Sequence, residues 1–169
     1  MCHYATDEEL DWMYEHAKTL KSTDMTVMLG VGPGVFLLAM KEANPNLHAY
    51  VVDTGQFAAL SYLNDAGWPH NVITHIGDST IAGRVWSGGL VEFLIVDTDH
   101  TEETTETEIG AWIGHVAPGG LIFFHDYDAR GTWFEGQEQY PGVKRAVDRL
   151  MDEYELITRV GTAIVYRKP

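Results

Sequence analysis

A chain of 169 residues with 45% hydrophobic and 21% charged side chains reads as a single domain, residues 1–169, with apolar material for a substantial core. Its formal net charge of −14 opposes phosphate backbones and anionic membranes and leaves small molecules, sugars or a basic partner open. No apolar run reaches the roughly 18 residues of a membrane span, and Met1-Cys2-His3-Tyr4 lacks a signal-peptide pattern. The lone cysteine, Cys2, excludes an internal disulfide, and a cytoplasmic protein is expected.

Thr6-Asp7-Glu8-Glu9 has the form of a capping box and predicts a helix to about Leu20, with Leu10, Met13, Ala17 and Leu20 on one face. A strand from Met25 to Leu29 then runs into a glycine turn and a helix from Val35 that ends at Asn44-Pro45. A second strand, Ala49 to Val52, closes on Asp53. A helix from about Gln56 to a glycine cap at Gly67 leads to a third strand, Val72 to Ile76. The apolar run Val91 to Val96 predicts a strand covered on both faces.

Beyond it, Asp99 has the composition of an N-cap, opening a helix from about Thr101 to Val116 with Glu102 and Glu103 in its first turn. Pro118-Gly119-Gly120 leads into a strand from Leu121 to Phe124, and Pro141 opens a helix whose inner face is Val143, Ala146, Val147 and Leu150. The last two strands, near Glu155 to Val160 and Thr162 to Tyr166, are separated only at Gly161, so they must pair as an antiparallel hairpin. Alternating β and α elements with a terminal hairpin predict a Rossmann-like, open and mostly parallel sheet with helices on both faces. In such a sheet, ligands lie beyond the carboxyl ends of the strands.

The most informative segment is Leu29-Gly30-Val31-Gly32-Pro33-Gly34. A glycine turn after a first strand lets backbone approach a nucleotide, and the following helix start offers unpaired N–H groups. An acid about 20 residues on, here Asp53, is placed to accept ribose hydroxyls. The dinucleotide fingerprint G-x-G-x-x-G would need its third glycine at position 35, which is Val35. The observed G-x-G-x-G followed by Asp53 instead resembles the first two motifs of class I S-adenosylmethionine (SAM) methyltransferases. Four further segments extend the likeness. They are Gly77-Asp78-Ser79, Val85-Trp86-Ser87-Gly88, Phe93-Leu94-Ile95-Val96-Asp97-Thr98-Asp99-His100 and His125-Asp126-Tyr127, with Pro118-Gly119-Gly120 and Gly142-Val143 in order between and after them. Their order and spacing resemble the methyltransferase-24 branch, which acts on small molecules and sugars as O-methyltransferases.

That resemblance implies a SAM site built from Gly30, Gly32, Gly34 and Asp53, with Asp78 and Ser79 beside the adenine. Asp78 is equally suited to capping a loop. Asp97 and Asp126 end neighbouring strands, and the resemblance makes them the metal-ligand candidates, with magnesium the expected ion. Asp97 is alternatively an orienting group for the SAM ammonium. His125 stands where relatives carry an acid or a small residue; its nitrogen suits manganese, iron, cobalt or zinc better than magnesium, and the alternative is a hydrogen-bonded strand-end histidine. His100, three residues after Asp97, matches the spacing of a general-base histidine in macrolide-sugar relatives, and a neighbouring helix N-terminus would favour its neutral form.

Met28 departs from the pattern, which usually carries an acid two residues before the first motif glycine to hold the methionine part of SAM. A glutamate at 28 is therefore expected to tighten SAM binding if the pocket is otherwise intact and the carboxylate reaches the methionine ammonium, or to unfold the protein if Met28 is a core residue. The glycine-hinged, aromatic stretch from Asp128 to Tyr140 is expected to lie over the acceptor side, with no separate lid domain. A small acceptor, or a homo-oligomer whose second subunit completes the pocket, follows from that. The reading is a SAM-dependent methyltransferase, with a SAM-binding accessory protein or a metal-dependent oxygenase or hydrolase as alternatives.

Overall fold

The computed structural model describes residues 5–55, 71–129 and 141–169. The strands β1 (Met25–Leu29), β2 (His48–Asp53), β3 (Val72–Ile76), β4 (Val91–Val96), β5 (Val116–Phe124), β6 (Glu155–Val160) and β7 (Ala163–Arg167) form a seven-stranded sheet in the order β3-β2-β1-β4-β5-β7-β6. Pairing is parallel from β3 through β5 and antiparallel at β7 with both neighbours. The expected open α/β sheet and terminal hairpin are both present. The order reverses between β1 and β4, so the chain leaves these neighbours in opposite directions and a crevice opens at their carboxyl ends.

The helices among the described residues are α1 (Asp7–Ala17), α2 (Val35–Ala43), α3 (Ser79–Arg84), α4 (Glu102–Trp112) and α5 (Pro141–Leu150). Met13, Ala17, Phe36, Leu37 and Met40 carry α1 and α2 onto one face of the sheet. Ala82, Ile109, Trp112, Val143 and Val147 carry α3, α4 and α5 onto the other. The central strands are therefore buried on both faces, which explains their nearly unbroken apolar sequences. In α5 the inner face is narrower than expected, since Leu150 is 39% exposed while Val143, Ala146 and Val147 are buried.

Thr6 and Glu9 form the expected capping box, each side chain bonded to the other's backbone N–H. Two boundaries differ from expectation. The N-cap of α4 is Thr101 rather than Asp99, because the Thr101 hydroxyl accepts from the N–H of Thr104 while Asp99 accepts from the Thr101 N–H and hydroxyl and the Thr104 hydroxyl. The α-helix also ends at Trp112, with a 3₁₀ turn at Ile113–His115, and β5 starts at Val116. Pro118-Gly119-Gly120 lies within that strand. The pairing jumps from Val91↔Val116 to Phe93↔Leu121, and Gly119 at φ +80° takes up the extra residues. The helix expected from Gln56 to Gly67 lies outside the described residues, as does the expected covering stretch from 130 to 140.

Met28 is 1% exposed and packs with Met13, Phe36, Leu37, Phe93 and Ile95 beneath α1 and α2. The expectation that a glutamate there would reach the cofactor is corrected by this packing, because the side chain enters an apolar core. Met28→Glu is predicted to destabilise the fold by about 3 kcal/mol or more, from burial of an unpaired carboxylate. Met28→Leu should stay within about 1.5 kcal/mol of the native protein. Urea denaturation of the two variants checks the contrast, and a Met28→Glu protein of native stability with tighter SAM binding would overturn it.

Candidate functional site

Backbone hydrogen bonds set the strand ends level with one another. The N–H of Gly30 donates to Val52 O at 2.8 Å, Asp97 N–H to Leu29 O at 2.8 Å, Gly77 N–H to Asp53 O at 2.9 Å and His125 N–H to Val96 O at 3.1 Å. The turn after β1, Asp53, Asp97 and the His125-Asp126 pair are consequently brought to one edge of the sheet. Gly30 has φ +75°, and a Cβ on it would lie 1.9 Å from the carbonyl oxygen of Asp97. No side chain fits there. Gly32, at φ +47°, faces open space instead, with no atom of the described residues beyond its chain neighbours within 4 Å of a Cβ placed on it. Gly34 caps α2 in the left-handed conformation with no side-chain hydrogen bond to the helix start, so the first N–H groups of α2 remain without a side-chain cap. Close backbone, an open face at Gly32 and an uncapped helix start suit a ligand carrying polar groups on a flat nucleoside.

Asp53 sits across from this turn. Its Oδ2 accepts from the N–H of Val31 at 2.9 Å and its Oδ1 from the N–H of Gly55 at 2.8 Å. Each carboxylate oxygen keeps a further lone pair for a hydroxyl, so the two backbone bonds orient the group without exhausting it. Asp78 caps α3, its Oδ1 accepting from the N–H of Ile81 at 2.8 Å. Ser79 turns inward, and its hydroxyl donates to Glu108 of α4.

At the ends of β4 and β5, Asp97, His100, His125 and Asp126 bring one ligand atom each within 4.8 Å of one another. The Nε2 of His100 lies 3.3 Å from Asp97 Oδ1 and 3.2 Å from Asp126 Oδ2. The Nδ1 of His125 lies 2.9 Å from the same Asp97 oxygen and 3.4 Å from the same Asp126 oxygen. His100 and Asp126 hold positive φ values of 63° and 55°, a backbone conformation uncommon outside glycine and one that concentrates at functional sites. Gly142 at the start of α5 packs directly on this loop, since a Cβ there would lie 2.6 Å from His100 O.

The electrostatics follow from this crowding. Burial opposes the charge on Asp97, but the His125 charge and the hydrogen bonds from His100 and His125 hold its carboxyl well below the usual range. Burial likewise opposes the imidazolium of His100, yet its bonds to Asp126 and Asp97 push it up to about 9. This reverses the neutral form expected from a helix N-terminus, because two carboxylates at about 3 Å outweigh a partial dipole charge. His125 is buried, and the charge and hydrogen bond of Asp97, with help from Glu9 and Asp126, raise it well above its ordinary value. Two carboxylates and two imidazoles converging on one point are a donor set that fits a divalent cation.

A family model described as a methyltransferase domain matches residues 27–127, from within β1 to just past Asp126. The chain belongs to the methyltransferase-24 family of class I SAM-dependent methyltransferases. Solved structures share the fold at low identity. The O-methyltransferase NovP superposes with a TM-score of 0.70 at 17% identity, over 95% of this chain and 79% of that one. The cofactor-bound Rv0187 from MTB gives 0.76 at 13%, over 96% and 80%. The SAH-bound Podospora anserina methyltransferase PaMTH1 gives 0.75 at 13%, over 97% and 79%.

In this methyltransferase, every sequence-predicted site residue falls at the carboxyl edge of the sheet or on the turns that follow it. Two buried acids were missed. Glu9 was read only as part of a capping box, and Glu108 was given no role. Glu108 is fully buried and accepts from the hydroxyls of Ser79 and Thr98, the latter at 2.9 Å. Burial, reinforced by Asp99 and Asp78, outweighs those bonds and raises its carboxyl from the usual 4.5 to about 7. The folded state therefore binds this proton more tightly than the unfolded chain does. Below 4.5 both states are protonated; from 4.5 to 7 stability falls as pH rises, and above 7 the loss is complete. Glu108→Gln carries no charge and is predicted to gain stability relative to the native protein as pH is raised from 5 to 8. Thermal melts across that range check it, and a pH-independent difference between the two proteins would refute it.

Proposed function

We propose that this methyltransferase transfers a methyl group from SAM to a hydroxyl of a small molecule, with a divalent cation held by Asp97 and Asp126. The observation that carries the proposal is the convergence of His100, Asp97, His125 and Asp126 at the ends of β4 and β5, one strand over from the Gly30 turn. The likeness to the O-methyltransferase NovP and the net charge of −14 support a small hydroxylated acceptor over nucleic acid.

Bound SAM supplies an electrophilic methyl group on a sulfonium. Gly30, Gly32 and Gly34 let the backbone approach it, and Asp53, oriented by the Val31 and Gly55 N–H groups, accepts the ribose hydroxyls. Asp78 and Ser79 flank the adenine side. Asp97 and Asp126 would hold a divalent cation, which would supply Lewis-acid chemistry toward the acceptor hydroxyl. The Asp97 and Asp126 carboxylates, with the His125 ring beside them, form the polar wall against which the acceptor is held. With a cation on Asp97 and Asp126 in place of its own charge, His100 would be neutral and would receive the acceptor proton as the methyl-to-oxygen bond forms, the methyl-to-sulfur bond breaks and the sulfur keeps its electron pair. Transfer of this kind depends on alignment and a deprotonated acceptor, which is what these groups provide.

Incubation with labelled SAM and a panel of catechols, sugars and other small diols, with and without Mg²⁺ or Mn²⁺, tests the reading. Asp53→Ala is predicted to weaken SAH binding about 10- to 100-fold by calorimetry, the equivalent of one hydrogen bond to a charged group. Unchanged SAH affinity would remove Asp53 from the ribose.

Asp97→Asn and Asp126→Asn should each abolish metal-dependent turnover while leaving most of the SAH affinity. His100→Ala should lower turnover by about 10²- to 10⁴-fold with little change in SAH binding. Full activity in excess EDTA would take the metal out of the mechanism, and undiminished turnover by His100→Ala would take away its base role.

A further inference from the structure

The group that organises this site from behind is Glu9, and nothing in its local sequence marks it as more than a helix cap. It lies in the first turn of α1, on the opposite side of His125 from the two aspartates, and is fully buried. Its Oε2 accepts from the N–H of Thr6 at 2.7 Å and stands 3.5 Å from His125 Nε2. Its Oε1 accepts from the N–H of Thr162 at 2.7 Å and is 2.8 Å from the Thr162 hydroxyl. That hydroxyl is also 3.1 Å from Asp126 Oδ1.

A capping box needs only the bond to the Thr6 N–H, and an exposed glutamate serves that purpose. Here the carboxylate is buried and faces three further polar groups, two of which, His125 Nε2 and the Thr162 hydroxyl, lead to the site. His125 has its Nδ1 on Asp97 and its Nε2 toward Glu9, so the ring is gripped at both nitrogens. Thr162, in the turn between β6 and β7, links the same carboxylate to Asp126. Glu9 thus touches neither aspartate yet is one group away from both.

We infer that Glu9 is a positioning residue: it fixes the His125 ring and the Thr162 hydroxyl so that Asp97 and Asp126 present their oxygens to a common point. His125 in this role is a spacer between carboxylates rather than a ligand. The inference deepens the proposed metal site and rests on it for the direction in which affinity changes. His125 and Thr162 are the outer partners of the two ligands, whose loss weakens metal binding about 10- to 100-fold, and Glu9 acts one group further out, so its loss costs severalfold to about 10-fold.

The test compares the full-length native chain with Glu9→Gln, which keeps the shape and one acceptor oxygen. Mn²⁺ binding is followed by electron paramagnetic resonance, SAH binding by calorimetry, and the His125 ring by a crystal structure of the variant. The expected result is Mn²⁺ affinity lowered severalfold to about 10-fold, SAH affinity within about twofold, and His125 Nδ1 moved off Asp97 Oδ1. Unchanged Mn²⁺ affinity with His125 in place would overturn the inference and leave Glu9 as a cap. Equal weakening of Mn²⁺ and SAH would also overturn it, as the mark of general structural damage.

If Glu9→Gln does not fold, Thr162→Val removes only the hydroxyl that joins Glu9 to Asp126. It should weaken Mn²⁺ binding severalfold at unchanged SAH affinity, and no effect would overturn the inference. If the native chain itself binds no Mn²⁺, the metal reading fails separately. The position of the His125 ring in the variant then decides the role of Glu9.

Discussion

The carbonyl of Asp97 occupies the space that a side chain on residue 30 would need. This backbone contact, where β1 and β4 part company, fixes the separation between the glycine turn after β1 and the strand end that carries the acids. It makes glycine obligatory at 30 through sterics as well as through its positive φ. The Asp53 carboxylate then braces the same turn from β2. The site is therefore assembled at the seam of the sheet, on strand ends whose relative heights are set by ladder hydrogen bonds rather than by flexible loops.

That arrangement places charge under unusual constraint. Glu9, Asp97 and Asp126 gather around two imidazoles in a small, half-buried volume, in a chain whose overall charge is already −14. Burial alone would discharge these carboxyls, yet Glu9 is held down to about 2 by His125 and by the Thr6 and Thr162 groups. The histidines carry the compensating charge. They and any bound cation therefore address the same oxygens, and the cluster is balanced only when one or the other is present.

Much of this was legible along the chain, for identifiable reasons. The glycine turn and Asp53 are separated by one strand, one helix and a second strand, so their juxtaposition follows from parallel pairing alone. Asp97 and Asp126 each follow an apolar run, and a strand's end is visible wherever such a run stops. The hairpin at Gly161 was forced by the shortness of the link. The failures share a different cause. Met28 occupies a strand position whose neighbours, Met13 and Phe36, come from helices that only tertiary packing supplies. Glu9 and Glu108 sit in helices rich in acids, where one buried carboxylate looks like its solvated neighbours. The charge of His100 depends on Asp126, which lies on the next strand, while the helix terminus beside it in sequence argued the other way. Asp99 had the composition of a cap, but Thr101 had the geometry.

Glu9 and Thr162 meet across 153 positions of sequence, one near the first helix and the other between the last two strands. A contact of that span is paid for in loop entropy before it returns anything, so it belongs to the late stages of assembly. During synthesis the strands bearing Asp53, Asp97 and Asp126 all emerge before the hairpin that steadies them. Steadying Asp126 therefore waits on the turn that precedes β7, the strand seated between β5 and β6, so the last crossing of the sheet and the bracing of its acids are one event.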